Sequence, residues 1–190
     1  MAPSQETDER DLYPVLYSVA RAINSSLDQK EVLQLIAQSV TEAFGVKGCA
    51  IRLLNPGRDR LDLVASHGLS EEFLSKGIVR PDLSAAQTLC SDGKPVVLHI
   101  DDTEHWQYPE ETKQEGIATS LTVPLQLDGE PMGILRLYAA ERRTFSPRDM
   151  EFVSVLAELS ALALKNARVF EEVKQSQEML TEYAFGPYTR

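Results

Sequence analysis

Apolar residues that recur every three or four positions predict two helices near the start of the chain. The first covers positions 12–23, and its apolar stripe consists of Leu12, Leu16, Val19 and Ile23. The second begins at Asp28, which precedes Glu31 by three positions as in a capping box, and it ends at Gly45. Two consecutive helices therefore precede any strand.

Short apolar runs between turn-forming residues predict the strands. They are CAIRLL at 49–54, LDLVASH at 61–67, VVLHI at 96–100, TSLTVPLQL at 119–127 and MGILRLYA at 132–139. In the fourth run, Leu121, Val123 and Leu125 alternate with polar side chains, so one face of this strand belongs to the core and the other is polar. We expect these three apolar residues to pack against the terminal helices.

A long helix closes the chain. Ser146 is suited to the N-cap and Pro147 to the first helical position, and no further glycine or proline occurs before about Leu180. Helices gathered from both ends around antiparallel hairpins predict an α+β fold. We expect an acidic, disordered tail over 1–10, one domain over 11–173, and a helical extension with a tail over 174–190.

Composition and charge narrow the class of protein. The 190 residues contain 19 Lys and Arg against 29 Asp and Glu, and the net charge of −10 repels nucleic acid and anionic lipid. No run approaches the roughly 20 apolar residues of a membrane span, and the N-terminus does not resemble a signal sequence. Two cysteines, Cys49 and Cys90, are too few for a disulfide framework. We expect a cytoplasmic protein without nucleic-acid or membrane partners.

Three stretches resemble the GAF domain, a ligand-binding sensory module of bacterial and eukaryotic signalling proteins. They are LDLVASHGL at 61–69, SLTVPLQLDGEPMGILRLY at 120–138 and FSPRDMEFVSVLAELSALALKNARVFEEV at 145–173. The resemblance covers Leu12 to Val173. It implies a central antiparallel sheet of five or six strands with the terminal helices on one face. On the other face it implies a small-molecule pocket, roofed by the irregular segments 68–95 and 101–118.

Two arginines interrupt otherwise apolar strands, Arg52 in the first and Arg136 in the fifth. The resemblance makes these strands neighbours in the middle of the sheet. On the pocket face, the two guanidinium groups favour an anionic ligand such as a carboxylate, a phosphate or a nucleotide. The alternative is a pair of exposed arginines that extend over apolar neighbours and pair with acids such as Asp62 or Glu130.

Five further residues are expected at or near the ligand. Ser120 and Thr122 lie on the polar face of their strand. Trp106 belongs to the roof, where its ring closes over a ligand or packs on the core. His99, near the pocket wall, is the candidate for haem, which a few GAF proteins hold through a histidine. Cys90, on a short helix predicted at 84–90, is the candidate for a redox or ligand role.

No catalytic constellation is recognisable in the sequence. The nearest to a metal site is HxDDxxH at 99–105, and its simpler interpretation is an acidic surface loop. We therefore predict a non-enzymatic sensory domain with no metal and with an unidentified cofactor or ligand. One alternative is a small redox enzyme that uses Cys90 to reduce free methionine sulfoxide, as some free-standing GAF proteins do. Another is a dimerisation scaffold with a collapsed pocket.

The last helix also carries a heptad pattern. Its positions are Phe152, Leu156, Leu159, Ala163, Asn166, Phe170, Val173, Gln177 and Leu180. We expect the N-terminal part of this helix to cover the domain's own sheet. Beyond Lys165 the helix becomes polar, as in a stalk that pairs with another helix. We expect a homodimer, with an interface formed by Leu12, Leu16, Val19, Phe170, Val173 and Leu180. Ligand occupancy would pass through the terminal helices to a histidine kinase, cyclase or transcription-factor output, on another chain or beyond this fragment.

Overall fold

The computed structural model describes residues 12–25, 28–83 and 93–185. The helices are α1 (Tyr13–Ser25), α2 (Gln29–Phe44), α3 (Glu71–Leu74), α4 (Pro109–Gln114) and α5 (Pro147–Phe185), and short 3₁₀ turns occur at Pro81–Leu83 and Thr103–His105. The strands are β1 (Gly48–Leu54), β2 (Leu61–His67), β3 (Val96–His99), β4 (Thr119–Leu127) and β5 (Glu130–Ala139). The expected tail at 1–10 and the expected helix at 84–90 lie outside the described residues.

The five strands form one antiparallel sheet in the order β2-β1-β5-β4-β3. The predicted α+β class and antiparallel sheet are thereby confirmed. Strand β5 lies at the centre, between β1 and β4, so Arg136 and Arg52 do occupy neighbouring strands. Asp28 caps α2 through a 2.8 Å hydrogen bond from the Lys30 amide, and Gly45 ends α2 in the left-handed conformation at φ 56°.

The main core lies between one face of the sheet and the helices α1, α2 and α5. Leu121, Val123 and Leu125 of β4 belong to it, as their alternation in the sequence predicts. Their polar neighbours Ser120 and Thr122 are also fully buried, because loops cover the second face of the sheet. None of the described helices is both long enough and apolar enough to cross a membrane.

Replacing Val123 with alanine is expected to lower the free energy of unfolding by about 1–3 kcal/mol, because the side chain is buried and its removal leaves a cavity. Val155→Ala is the matched control, since Val155 lies partly exposed on α5 and its truncation should cost less than about 0.5 kcal/mol. Urea denaturation of both variants measures the difference. If both variants unfold at the same urea concentration, Val123 does not face the helices, and the two faces of β4 are the reverse of those described.

The first half of the predicted heptad on α5 packs on the chain's own sheet, as expected for the N-terminal part of this helix. Phe152, Leu156 and Ala163 are buried in the chain's own core, because this part of α5 packs on the sheet. A second series, which shares Leu159, Asn166, Val173 and Leu180 with the predicted one, is exposed at steps of four and three residues. It consists of Val155, Leu159, Leu162, Asn166, Val169, Val173, Ser176 and Leu180, of which Leu159 is only partly exposed.

The structure also corrects one residue of the expected interface. Val19 has 0% of its surface exposed and belongs to the core of its own chain. It therefore offers nothing to a partner. Leu12 is nearly buried and Leu16 partly so, whereas Tyr13 and Tyr17 on the same helix are exposed.

Candidate functional site

Two segments cover the second face of the sheet, and we name them the first lid segment (68–83) and the second lid segment (100–118). Hydrogen bonds join them at Ile78, whose carbonyl oxygen accepts from both Gln107 Nε2 and Tyr108 Oη at 2.7 Å. The Arg80 amide donates to Gln107 Oε1 at 2.9 Å. Side-chain hydrogen bonds thus join the two lid segments to each other, while backbone bonds such as Leu61 N to Val79 O join the lid to the sheet.

A carboxylate makes the second connection between the lid segments. Glu115 accepts hydrogen bonds from the amide and the hydroxyl of Ser70, and Lys47 Nζ lies 3.5 Å from its Oε1. Burial alone would raise the pKa of Glu115, but the bonds from Ser70 and the charge of Lys47 hold it below its ordinary value. Glu115 therefore stays charged and keeps the lid segments together.

A small cavity of about 20 Å³ lies between the lid and the sheet. Its walls come from β1, β5 and both lid segments: Ala50, Arg52, Phe73, Lys76, Val79, Trp106, Gln107, Tyr108, Thr112, Ile134, Arg136 and Tyr138. This volume holds about one water molecule. The pocket expected on this face is present, and in this conformation its own side chains nearly fill it.

Arg52 and Arg136 both line the cavity, with only 6% and 8% of their surfaces exposed. The register of β1 and β5 explains this, since Arg52 pairs with Ile134 and Ala50 with Arg136, all on the cavity face. The alternative of exposed, acid-paired arginines is wrong. Asp62 instead lies 2.8 Å from Arg60.

The two buried arginines have unused donors. Arg136 Nε donates to Thr122 Oγ1 at 2.7 Å, and Arg52 Nη1 makes a long 3.4 Å contact with the carbonyl of Leu61. Within the described part of the chain, Arg52 Nη2, Arg136 Nη2 and Ser120 Oγ have no hydrogen-bond partner. Buried donors without partners destabilise a fold by about 1–3 kcal/mol each, and native proteins tolerate few of them.

A third cation, Lys76, joins the arginines from the first lid segment. Its Nζ donates to the Phe73 carbonyl at 2.9 Å and lies 3.3 Å from the centre of the Phe73 ring. Burial, together with the charges of Arg52 and Arg136, lowers the pKa of Lys76 to about 7. The cavity walls within the described residues thus carry three cationic side chains and no carboxylate.

Trp106 lies in the lid, as the sequence suggests. Its ring is 5.9 Å from the guanidinium group of Arg136, and its Nε1 donates to the His99 carbonyl at 2.9 Å. His99 itself does not line the cavity, because its Nδ1 points to Thr119 Oγ1 at 3.2 Å. The proposed haem ligand therefore stands at the edge of the sheet rather than in the pocket.

The cysteines give no sign of a redox centre in the described residues. Cys49 is fully buried in the main core, and burial raises the pKa of its thiol, which makes it unreactive. Cys90 lies outside the described residues. Within the same ranges, no cluster of His, Cys, Asp and Glu could hold a metal ion.

Comparison with known proteins agrees with this architecture. Over 180 residues the chain is 22% identical to a formate hydrogenlyase transcriptional activator of Salmonella typhimurium, a span of 92% of this chain but only 26% of that protein. The chain therefore spans about a quarter of the length of this relative. The activity of the whole relative cannot be assigned to this chain.

Solved structures share the fold at low sequence identity. The GAF domain of an Acinetobacter phosphoenolpyruvate-protein phosphotransferase has a TM-score of 0.71 and 24% identity, covering 83% of this chain and 94% of that one. Free methionine-R-sulfoxide reductase from Neisseria meningitidis has a TM-score of 0.71 and 20% identity, covering 85% and 93%. The same fold thus occurs as a domain of a phosphotransferase and in a methionine-R-sulfoxide reductase.

The family model of the GAF domain matches residues 26–165. This range includes α2, the complete sheet, both lid segments and the part of α5 that packs on the sheet. It thus contains every cavity-lining residue. The chain belongs to the GAF domain family.

Proposed function

We propose that this chain is a non-enzymatic sensory domain that binds a small anion between Arg52, Lys76 and Arg136. The observation that supports it most strongly is the pair of buried guanidinium groups with unpartnered Nη2 atoms. An anion with two oxygen atoms would supply the missing acceptors and would balance charge that no lining carboxylate balances. Ser120, which pairs with the cavity-lining Tyr138 but does not itself line the cavity, is a further buried donor without a partner among the described residues.

The size of the cavity limits the ligand. About 20 Å³ admits neither a nucleotide nor a carboxylate until side chains of the lid move, and a small carboxylate or a similar oxyanion requires the smaller movement. The lid can provide the entrance, because side-chain hydrogen bonds connect its two segments at an exposed edge. Trp106, close to Arg136, would report the arrival of the anion.

Occupancy can pass from the pocket to α5 through the sheet itself. Successive side chains of β4 and β5 point to opposite faces, so Thr122 and Arg136 face the pocket while Leu121 and Leu137 face the helices. In addition, Lys165 of α5 lies 3.2 Å from Asp128 in the β4–β5 turn. A ligand shifts the helices only as far as it binds one arrangement of them better than another.

The exposed part of α5 supports a homodimer. Every side chain that the structure describes beyond Ala167 on this helix is exposed, including Val169, Phe170 and Val173. A second copy would bury this surface. We place the dimer in the bacterial cytoplasm, with an output such as a transcription activator or a histidine kinase.

An anion titration of Trp106 fluorescence tests the site. Acetate in carbon-dioxide-free buffer at constant ionic strength is expected to change the emission, and acetamide, its neutral analogue of similar shape, is not. Arg136→Gln should weaken acetate binding roughly tenfold or more, since hydrogen bonds to charged groups contribute about 1.5–3 kcal/mol. Arg142→Gln is the matched control, because Arg142 is exposed and pairs with Asp101 instead.

The pH dependence has a defined sign. A bound anion stabilises the protonated form of Lys76. The pKa of Lys76 is therefore higher in the complex than the value of about 7 in the free chain. Affinity is then highest below pH 7 and falls by up to about tenfold per pH unit above it. Equal responses to acetate and acetamide, or unchanged binding by Arg136→Gln, would contradict the anion site.

The enzyme alternative is tested separately. The Neisseria neighbour is a methionine-sulfoxide reductase in complex with its substrate, so the fold permits this chemistry. An assay for reduction of free methionine sulfoxide by the wild-type chain and by Cys90→Ala separates the two functions. Activity that disappears in Cys90→Ala would replace the sensory proposal with a redox enzyme.

A further inference from the structure

Lys76 has a lowered pKa and a partly exposed side chain, and anion binding alone requires neither. The Lys76 side chain lines the same small cavity as Arg52 and Arg136, while its amine donates to the Phe73 carbonyl. Burial and the charges of Arg52 and Arg136 lower the pKa of Lys76 to about 7, although Glu115 and Glu111 on the second lid segment act in the opposite direction. About half of the Lys76 side chains are therefore neutral amines at neutral pH, and a neutral amine is a nucleophile.

We propose that Lys76 is a reversible carbon dioxide site, at which Nζ forms a carbamate that Arg52 and Arg136 hold. The lone pair of neutral Nζ attacks the carbon of carbon dioxide, and one C=O π pair moves onto its oxygen. A proton leaves Nζ for water through the partly exposed lid. The balance is one amine and one carbon dioxide giving one carbamate and one proton, with no oxidant, reductant or further reactant.

Burial, the largest cause of the lowered pKa of Lys76, disfavours any charged group, but the charges of Arg52 and Arg136 favour the carbamate for the same reason that they disfavour the ammonium group. Carbamate formation replaces a group of charge 0 or +1 by one of charge −1 beside two guanidinium groups, so repulsion becomes attraction. The two carbamate oxygens are acceptors, and Arg52 Nη2 and Arg136 Nη2 are donors without partners among the described residues. The carbamate adds one carbon and two oxygen atoms to Nζ, more than the cavity of about 20 Å³ holds, so the lysine side chain must move to make room for them.

The modification uses the pocket of the proposed function, but it does not require a free anion to bind there. Carbon dioxide would then be bound covalently at the site formed by Arg52, Lys76 and Arg136. A carbamate would also compete with a free anion, since both use the same Nη2 donors.

Carbon-13 NMR of the wild-type chain in ¹³C-bicarbonate buffer tests the proposal. We expect a carbamate resonance that increases as the pH rises through about 7, where Lys76 loses its proton. Trapping with triethyloxonium and mass spectrometry should place the ethyl ester on the peptide that contains Lys76. The signal should disappear in Lys76→Arg and Lys76→Gln, persist in Lys113→Arg at an exposed lysine, and fall severalfold in Arg136→Gln.

The outcomes separate this inference from the proposed function. A carbamate signal of equal size in Lys76→Arg, or a trapped ester only on other amines, overturns the carbon dioxide site. If acetate still changes Trp106 emission in that case, the sensory proposal stands. If the carbamate forms on Lys76 but acetate and acetamide act alike, the carbon dioxide site stands and the free-anion site does not.

Discussion

The double substitution Phe170→Glu and Val173→Glu is expected to convert a homodimer into a monomer. Both residues lie on α5 beyond its contact with the sheet, with 44% and 51% of their surfaces exposed. Val173 belongs to the exposed heptad series, and Phe170 lies beside it. Four glutamates in one apolar seam, two from each copy, should weaken the dimer roughly a hundredfold or more, because unpaired charges are costly to bury.

Light scattering over a range of protein concentrations measures this dissociation. Gln175→Glu is the control, since it adds a negative charge to the same part of the helix but outside the seam. It should leave the mass of the dimer unchanged. A monomeric wild-type chain, or a double variant that keeps the dimeric mass, would contradict the interface.

The second large effect is expected from Gly133→Ala. Gly133 pairs with Leu53 of β1 and Leu125 of β4 at the centre of the sheet. A Cβ atom on it would lie 2.1 Å from the carbonyl oxygen of Arg52 and 2.9 Å from the Cα of Leu53. Both are backbone atoms of a paired strand, so β1 would have to move away. We expect a loss of about 3 kcal/mol or more in the free energy of unfolding.

Gly129→Ala in the same hairpin separates this overlap from the general effect of losing a glycine. Gly129 has a φ of +82°, but a methyl group added to it would meet no atom within 4 Å, so its cost is backbone strain of about 1–2 kcal/mol. Urea denaturation compares the two variants. A Gly133→Ala variant no less stable than Gly129→Ala would show that β1 and β5 are not packed as closely as described.

The sequence was sufficient to predict the sheet because its signals are local. The two-residue alternation of β4 identifies the face that packs on the helices, and Arg136 follows from the same alternation in β5. The step from Arg136 to Tyr138 also places Tyr138 in the cavity wall, although Tyr138 is not among the site residues expected from the sequence. These residues lie in regular strands, where spacing alone determines orientation.

The rest of the site depends on tertiary contacts that spacing does not encode. Lys76 follows the four-residue helix α3 in an irregular segment, and nothing local directs it to Arg52 and Arg136. Spacing alone does not fix which series of α5 residues faces outward, for a related reason. This helix is apolar around much of its first half, so two overlapping heptad series fit, and only packing on the sheet decides that Leu156 is inside and Val155 outside.

The Ile78 carbonyl oxygen, which accepts from both Gln107 and Tyr108, affects how fast a ligand would enter and leave the pocket. One carbonyl oxygen accepts from two donors of the second lid segment, so both of these hydrogen bonds break together when that oxygen moves away. Entry and exit of an occupant must cross the same barrier, which slows both rates without changing their ratio. The proposed sensor would then average over brief fluctuations in ligand concentration and follow only changes that last longer than one opening of the lid.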